Sequence, residues 1–351
     1  MTGLRKVFIL CPRGAVSGGP EALHQLCGAL RTRRVAAAMV YYPPRPVHDG
    51  PVHDGPVHDG PVHDGPVHDG PVHDVPAPYR HYGAAVSSGV EDDAACLVVI
   101  PEVATSLAWR FTNARRAIWW LSVDNYFKWQ HLNPGPSVLR PEADIVHLCQ
   151  SDYARDFLLR NGVAGGLMLT DFLTEDVFRT GPAAGRLAAV AFNPRKAPET
   201  TQRLMAACGG RTWLPLEGLD KETLAELLRQ VRVYVDFGPH PGRDRIPREA
   251  ALCGAVVVTG RRGAAGFATD LPIPERFRLD EAAADFDAQA LRLIDQLLRS
   301  DAAFLQASEQ QADYRRWIAC NRDAFMREVD GFVAAMRLSG GSADAVTGFL
   351  G

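Results

Sequence analysis

Residues 231–260, VRVYVDFGPHPGRDRIPREAALCGAVVVTG, constrain the fold more tightly than any other part of the chain. Val231, Val233 and Val235 are β-branched and read as a buried strand, which Gly238-Pro239-His240-Pro241-Gly242 then ends. Pro247 suits the first turn of the helix that follows, where its missing N–H would have had no intrahelical partner. Ala250, Ala251 and Leu252 carry that helix to Gly254, and residues 255–259 read as a second strand. The polar residues gather in the loop, which is the layout of a ligand site. Arg243, Arg245 and Arg248 crowd the helix start, beside His240 and Gly242. Free N–H groups and the positive end of the helix dipole already favour anions there, so the natural guest is a phosphate or diphosphate. The competing reading is a solvated loop whose arginines pair with Asp244 and Glu249.

A second turn, Gly260-Arg261-Arg262-Gly263-Ala264-Ala265-Gly266, leaves the next strand. In open parallel α/β sheets the ligand sits beyond the carboxyl ends of the strands, so both turns are expected to meet at one crevice. Upstream, residues 187–193 (LAAVAFN) read as a strand with Asn193-Pro194-Arg195-Lys196 as its loop. Residues 198–207 read as a helix, 213–216 as a strand and 221–230 as a further helix. This alternation predicts a doubly wound parallel sheet.

The strand, the glycine-containing loop and the run Pro-Arg-Glu-Ala-Ala-Leu-Cys-Gly-Ala-Val-Val-Val-Thr-Gly that follows resemble the donor-nucleotide segment of GT-B glycosyltransferases, in the manner of glycosyltransferase family 4. The resemblance implies an α/β chain of two Rossmann-like doubly wound domains facing across a cleft. It also implies a nucleotide-diphosphate sugar as donor, with no separate cofactor. Glu249 would hold the ribose hydroxyls. Arg243, Arg245, Arg248 and His240, with the N–H groups of Gly242 and Gly263, would take the diphosphate. Arg195 and Lys196 resemble the cation site opposite the donor phosphates, although the pair reads equally as an exposed one at a helix start. The chain departs from the common retaining pattern eight residues before Glu249, where Pro241 stands in place of a second Glu.

The N-terminal half repeats the architecture. Residues 6–11 read as a strand, followed by Gly14-Ala15-Val16-Ser17-Gly18-Gly19-Pro20 and a helix with Leu23, Leu26, Cys27 and Leu30 on one face. The loop is not GxGxxG, and Tyr41-Tyr42-Pro43-Pro44 stands where a dinucleotide site wants an acid, which disfavours a nicotinamide enzyme. Gly18, Gly19 and Glu21 match in position the glycine-rich loop that faces the cleft in GT-B enzymes. Residues 96–100 and 117–121 read as strands running into Glu102 and Asp124. An inverting transfer needs a group to take the acceptor proton, and Asp124, then Glu102, are the candidates for that base. The alternatives are that Asp124 caps a short helix and that Glu102 is an exposed loop acid. Trp109, Trp119, Trp120 and Trp129 read first as core and second as sugar-stacking faces.

Residues 46–75 are six tandem PVHDG units, the last ending in Val. With proline every five residues and one apolar side chain per unit, the tract can neither form regular structure nor bury enough to offset its ordering entropy. It reads as an insertion into the first domain, a candidate contact element for a protein partner and a poor metal site for want of a closed ligand set. The seven cysteines lack CxxC spacing and fall mostly in apolar stretches, which argues for reduced thiols in a cytoplasmic protein. A net charge of −3 does not favour nucleic acid, and no apolar run reaches membrane-spanning length. A basic rim could still meet a lipid-linked acceptor at the inner face of a membrane. No DxD-type pair sits in a suitable loop, so metal dependence is not expected.

The expected domains are 1–180, acceptor-binding, and 186–310, donor-binding, with a hinge in Gly181-Pro182-Ala183-Ala184-Gly185. Residues 311–338 keep helical spacing through Tyr314, Trp317, Phe325, Val329, Phe332 and Met336, and the resemblance has such a helix return to the first domain. The expected function is glycosyl transfer to a glycan, lipid-linked or other acceptor, in polysaccharide or cell-envelope biosynthesis. A nucleotide-sugar epimerase or hydrolase of the same fold and a non-catalytic binding protein are the rivals.

Overall fold

The structure, a computed structural model, describes residues 4–42, 75–174, 177–178 and 185–338. The PVHDG tract as far as residue 74, the expected hinge at 181–184 and the chain from 339 lie outside the described residues. The chain divides into two compact units, Met1–Asp171 with Ala324–Gly351, and Phe172–Asp323.

The first unit is a six-stranded sheet in the order β2-β1-β3-β4-β5-β6, every pair parallel. Its strands are β1 (Lys6–Pro12), β2 (Ala37–Tyr42), β3 (Cys96–Pro101), β4 (Arg115–Trp120), β5 (Ile145–Cys149) and the short β6 (Leu167–Met168). Helices α1 (Gly18–Thr32), α2 (Val123–Trp129) and α3 (Asp152–Arg160) lie in the connections. Strands β2 and β3 are buried at every position, which is why they read as continuous apolar runs instead of alternating ones. Phe8, Leu10, Val98, Ile100, Ile118 and Trp120 share one core. Each such side chain contributes roughly 1.5–3 kcal/mol on burial. Ser151 caps α3, its Oγ accepting from the Ala154 N–H at 3.1 Å. Gly18 and Gly19 lie within the first turn of α1, not in the loop before it.

The second unit is a four-stranded parallel sheet ordered β10-β9-β7-β8. It contains β7 (Leu187–Phe192), α4 (Pro198–Ala207), β8 (Thr212–Pro215), α5 (Lys221–Gln230), β9 (Val231–Asp236), α6 (Arg245–Leu252) and β10 (Val256–Thr259). Helices α7 (Phe286–Arg299) and α8 (Asp301–Gln310) follow, then α9 (Ala312–Leu338), whose residues to Asp323 belong to this unit. Leu173 and Phe178 pack in this core, so the second unit begins ahead of the glycine–proline stretch. At the β10 edge the Gln311 amide takes the place of a neighbouring strand: Nε2 donates to the Val257 carbonyl at 2.8 Å and Oε1 accepts from its N–H at 3.0 Å.

Both sheets reverse direction once. The chain moves from β1 outward to β2 and then back to β3, and from β7 outward to β8 and then back to β9. The connections that follow the two central strands part at that point, leaving a crevice at their carboxyl ends. In the first unit these ends carry the 13–17 loop and Glu102, and in the second Arg195-Lys196 and the 237–244 loop.

Candidate functional site

Lys196 crosses the switch point of the second unit. Ala197 after it holds a left-handed φ of +40°, unusual for a residue with a Cβ, and begins α4 there. The Lys196 stem lies on Gly238, where an added Cβ would sit 2.7 Å from the lysine Cβ. Its Nζ donates to Asp236 Oδ2 at 3.1 Å and to Asp244 Oδ2. Burial works against the ammonium, but the two carboxylates outweigh it and hold its pKa above the ordinary lysine value. Asp236, the last residue of β9, also accepts from the Tyr234 hydroxyl at 2.8 Å. His240 stands between the two acids, with Nε2 3.5 Å from Asp236 Oδ1 and Nδ1 3.2 Å from Asp244 Oδ2.

The two glycine-rich turns lie side by side. His240 N–H donates to the Arg262 carbonyl at 3.3 Å, and the Ala264 N–H to the His240 carbonyl at 2.8 Å. Gly263, at φ +64°, permits this approach: a Cβ there would lie 2.1 Å from the His240 oxygen. Arg262 ties the turns again, donating to the Phe237 carbonyl at 2.7 Å.

The arginines divide in role. Arg243 donates to Asp270 at 2.9 Å and lies over the Trp317 ring at 5.2 Å. Arg245 meets Glu249, one turn on in α6, at 3.4 Å. Arg248 is 1% exposed and turns back under the loop, donating to the carbonyls of Arg243 at 2.7 Å and Asp244 at 3.2 Å. Its guanidinium therefore holds the turn together, where the sequence pattern had it presenting charge at the helix start. Arg195 is exposed and meets Glu217 at 3.2 Å. Gly242 is buried in the same loop. Of the pairs in the competing reading, Arg245 with Glu249 forms, while Asp244 pairs with Lys196 and Arg243 with Asp270. An anion would enter by exchanging with those carboxylates. Asp244 occupies the N-cap of α6 without making a side-chain cap bond, because its carboxylate is turned to Lys196. The Asp244 side chain therefore leaves the first N–H groups of α6 uncapped.

Asp236 and Asp270 were not anticipated, and Asp244 only as a partner of the loop arginines. Asp236 and Asp244 are eight residues apart, a spacing outside the DxD pattern, and Asp270 meets Arg243 only through the tertiary fold. The one available signal was Asp-x3-His-x3-Asp across a strand end.

In the first unit Glu102 is enclosed at the end of β3, with Oε2 accepting from the Leu121 N–H at 3.1 Å. It is therefore not an exposed loop acid: burial pushes its carboxyl up to about 8, against the pull of backbone N–H groups. Asp124 lies in the first turn of α2, whose N-cap is Ser122, and accepts from the Tyr153 hydroxyl at 2.7 Å. Burial first, and then that bond, raises the Tyr153 pKa. Glu21 is buried and accepts from the Tyr82 hydroxyl at 2.6 Å, which makes it a packing acid of α1. Gly19 lies beside Leu121. Trp119 and Trp120 are core, bonded to the Leu169 carbonyl at 2.8 Å and to His147 Nδ1 at 3.0 Å, whereas Trp109 and Trp129 are half-buried. Five cysteines are buried, and none of the seven forms a disulfide among the described residues. Among the described residues no helix is long and apolar enough to cross a membrane.

No protein-family model and no curated protein matches this chain by sequence. Solved structures do match it. Sucrose-phosphate synthase from Thermosynechococcus elongatus is 14% identical with a TM-score of 0.58, over 93% of this chain and 100% of that one. The catalytic domain of starch synthase IV from Arabidopsis thaliana, bound to ADP and acarbose, is 11% identical with a TM-score of 0.50 over the same shares. The T4 phage enzyme BGT, in complex with its UDP-glucose substrate, is 10% identical with a TM-score of 0.51, over 95% of this chain and 100% of that one. The α/β chain with two parallel sheets has the fold of the GT-B glycosyltransferases.

Proposed function

We propose that the chain is a glycosyltransferase that moves a sugar from a nucleotide-diphosphate sugar to a carbohydrate or lipid-linked acceptor. The observation that carries this reading is the convergence of Lys196, Glu249, Arg245 and the uncapped start of α6 at the switch point of the second unit. A diphosphate would take over Lys196, Arg243 and Arg245 from their carboxylates and accept from the α6 N–H groups. Glu249, released from Arg245, would accept the ribose hydroxyls. The same cations and dipole would stabilise the charge that develops on the departing diphosphate, so the step asks for no metal. Two of the fold relatives were solved with ADP or UDP-glucose bound, in keeping with such a donor.

In the step itself an acceptor hydroxyl oxygen bonds to the sugar anomeric carbon while the carbon–oxygen bond to the diphosphate breaks and its electron pair leaves with the phosphate. The acceptor proton goes to Asp124, which we prefer to Glu102 because a carboxyl held near 8 keeps its proton at neutral pH and cannot serve as base. We place the reaction in the cytoplasm, in polysaccharide or cell-envelope biosynthesis, with an acceptor at the inner face of the membrane as one form.

The test is a thermal-shift panel of UDP-, GDP-, ADP- and CMP-sugars, followed by product analysis with and without candidate acceptors. A ligand selective for the folded state raises its stability by mass action. Transfer requires donor consumption that depends on acceptor. Turnover without acceptor would indicate hydrolysis or epimerisation instead, and neither binding nor turnover of any donor would leave a non-catalytic protein.

A further inference from the structure

The acid pair around Lys196 has a feature that glycosyl transfer does not use. The ligand atoms of Asp236, His240 and Asp244 all lie within 4.8 Å of one another. One ion bonded tetrahedrally at about 2.1 Å holds its ligand atoms about 3.4 Å apart, so the widest pair must close by up to roughly 1.4 Å to complete the set. A second, independent observation is His240 Nε2. The imidazole is 3% exposed, its Nε2 faces Asp236 Oδ1 at 3.5 Å, and that nitrogen has no hydrogen-bond partner among the described residues. A buried polar nitrogen without a partner is unfavourable, and a metal bond would satisfy it.

The surroundings are preorganised. His240 is fixed through its backbone by the Gly263 turn, and Asp236 is oriented by the Tyr234 hydroxyl. Such outer contacts set a ligand's direction in metal sites. The resident cation is a single ammonium shared by two carboxylates, whereas a divalent ion would match both charges.

We propose that Asp236, His240 and Asp244 form a site for a first-row divalent transition-metal ion, which enters in exchange for the Lys196 ammonium. One imidazole with two carboxylates suits zinc, manganese or iron(II). Because Lys196 uses the same carboxylates, ammonium and ion are alternative occupants. The proposal rests on these four side chains and not on the glycosyl-transfer reading.

The test titrates cobalt(II) into the full-length, metal-stripped protein, following heat and visible d–d absorption. Wild type is compared with Lys196→Met, His240→Ala and Asp244→Asn. The PVHDG tract is present in every sample, so its binding cancels in the comparison. The expected result is that Lys196→Met binds one equivalent at least ten-fold more tightly than wild type, while His240→Ala and Asp244→Asn lose that equivalent. A gain in Lys196→Met cannot arise from misfolding. Equal affinity of Lys196→Met and wild type would overturn the proposal, and so would a tight equivalent that persists in both His240→Ala and Asp244→Asn. Donor binding measured with a chelator present reports on the glycosyl-transfer reading alone.

Discussion

Glu102→Gln is expected to stabilise the protein, by an amount that grows with pH. Glu102 lies sealed at the end of β3, and burial lifts its carboxyl from 4.5 to about 8. Between those values the unfolded chain has released a proton that the folded chain keeps, so wild-type stability falls as pH rises through the window. Each pH unit is worth about 1.4 kcal/mol, and the whole window roughly 5 kcal/mol at most. Glutamine is neutral throughout, and its carbonyl oxygen can still accept from the Leu121 N–H as Oε2 does at 3.1 Å. Urea unfolding at pH 5, 6.5 and 8, followed by the fluorescence of the buried Trp119 and Trp120, measures the difference. The advantage of the variant over wild type should widen by about 1 kcal/mol or more per pH unit and level off above pH 8. A difference that does not change with pH would refute the reasoning. Glu102 would then be ionised in the folded protein and would regain its standing as a base.

Gly263→Ala should destabilise the second unit by more than about 2 kcal/mol in urea unfolding, because it adds a Cβ at positive φ and drives it into the His240 carbonyl. A variant as stable as wild type would separate the two glycine-rich turns. Asp124→Asn should lower transfer about 10²- to 10⁴-fold in an acceptor-dependent product assay while leaving donor affinity unchanged. Retention of full activity would remove Asp124 as the base.

Patterns with a fixed period were legible. The alternating valines of β9, the apolar runs of β1 and β3, and α5 with its expected bounds Lys221–Gln230 follow from local side-chain chemistry and turn residues. Helix α7 was not anticipated although Phe286, Ala290, Ile294 and Leu298 recur at helical spacing and are all buried. Where a long side chain turns is a different matter. Arg248 and Arg245 lie three residues apart at the same helix start, yet one is spent on backbone carbonyls beneath the loop and the other meets Glu249. Nothing local distinguishes them, since the choice depends on which carbonyls the folded loop leaves open. Glu102 and Glu21 likewise read as cleft acids because burial, which raises one carboxyl and packs the other against Tyr82, depends on segments far away in the chain. The fold does bring the β9–α6 loop and its neighbour side by side, while the charge balance there draws on Asp236 and Asp270, which local sequence does not mark, besides Asp244.

The central claim is that this loop binds the diphosphate of a sugar nucleotide. Isothermal titration with the sugar nucleotide that most raises the melting temperature, against wild type, Glu249→Ala and Arg245→Ala, tests it most directly. Both folded variants should bind at least ten-fold more weakly, whereas wild-type affinity in both would contradict this assignment.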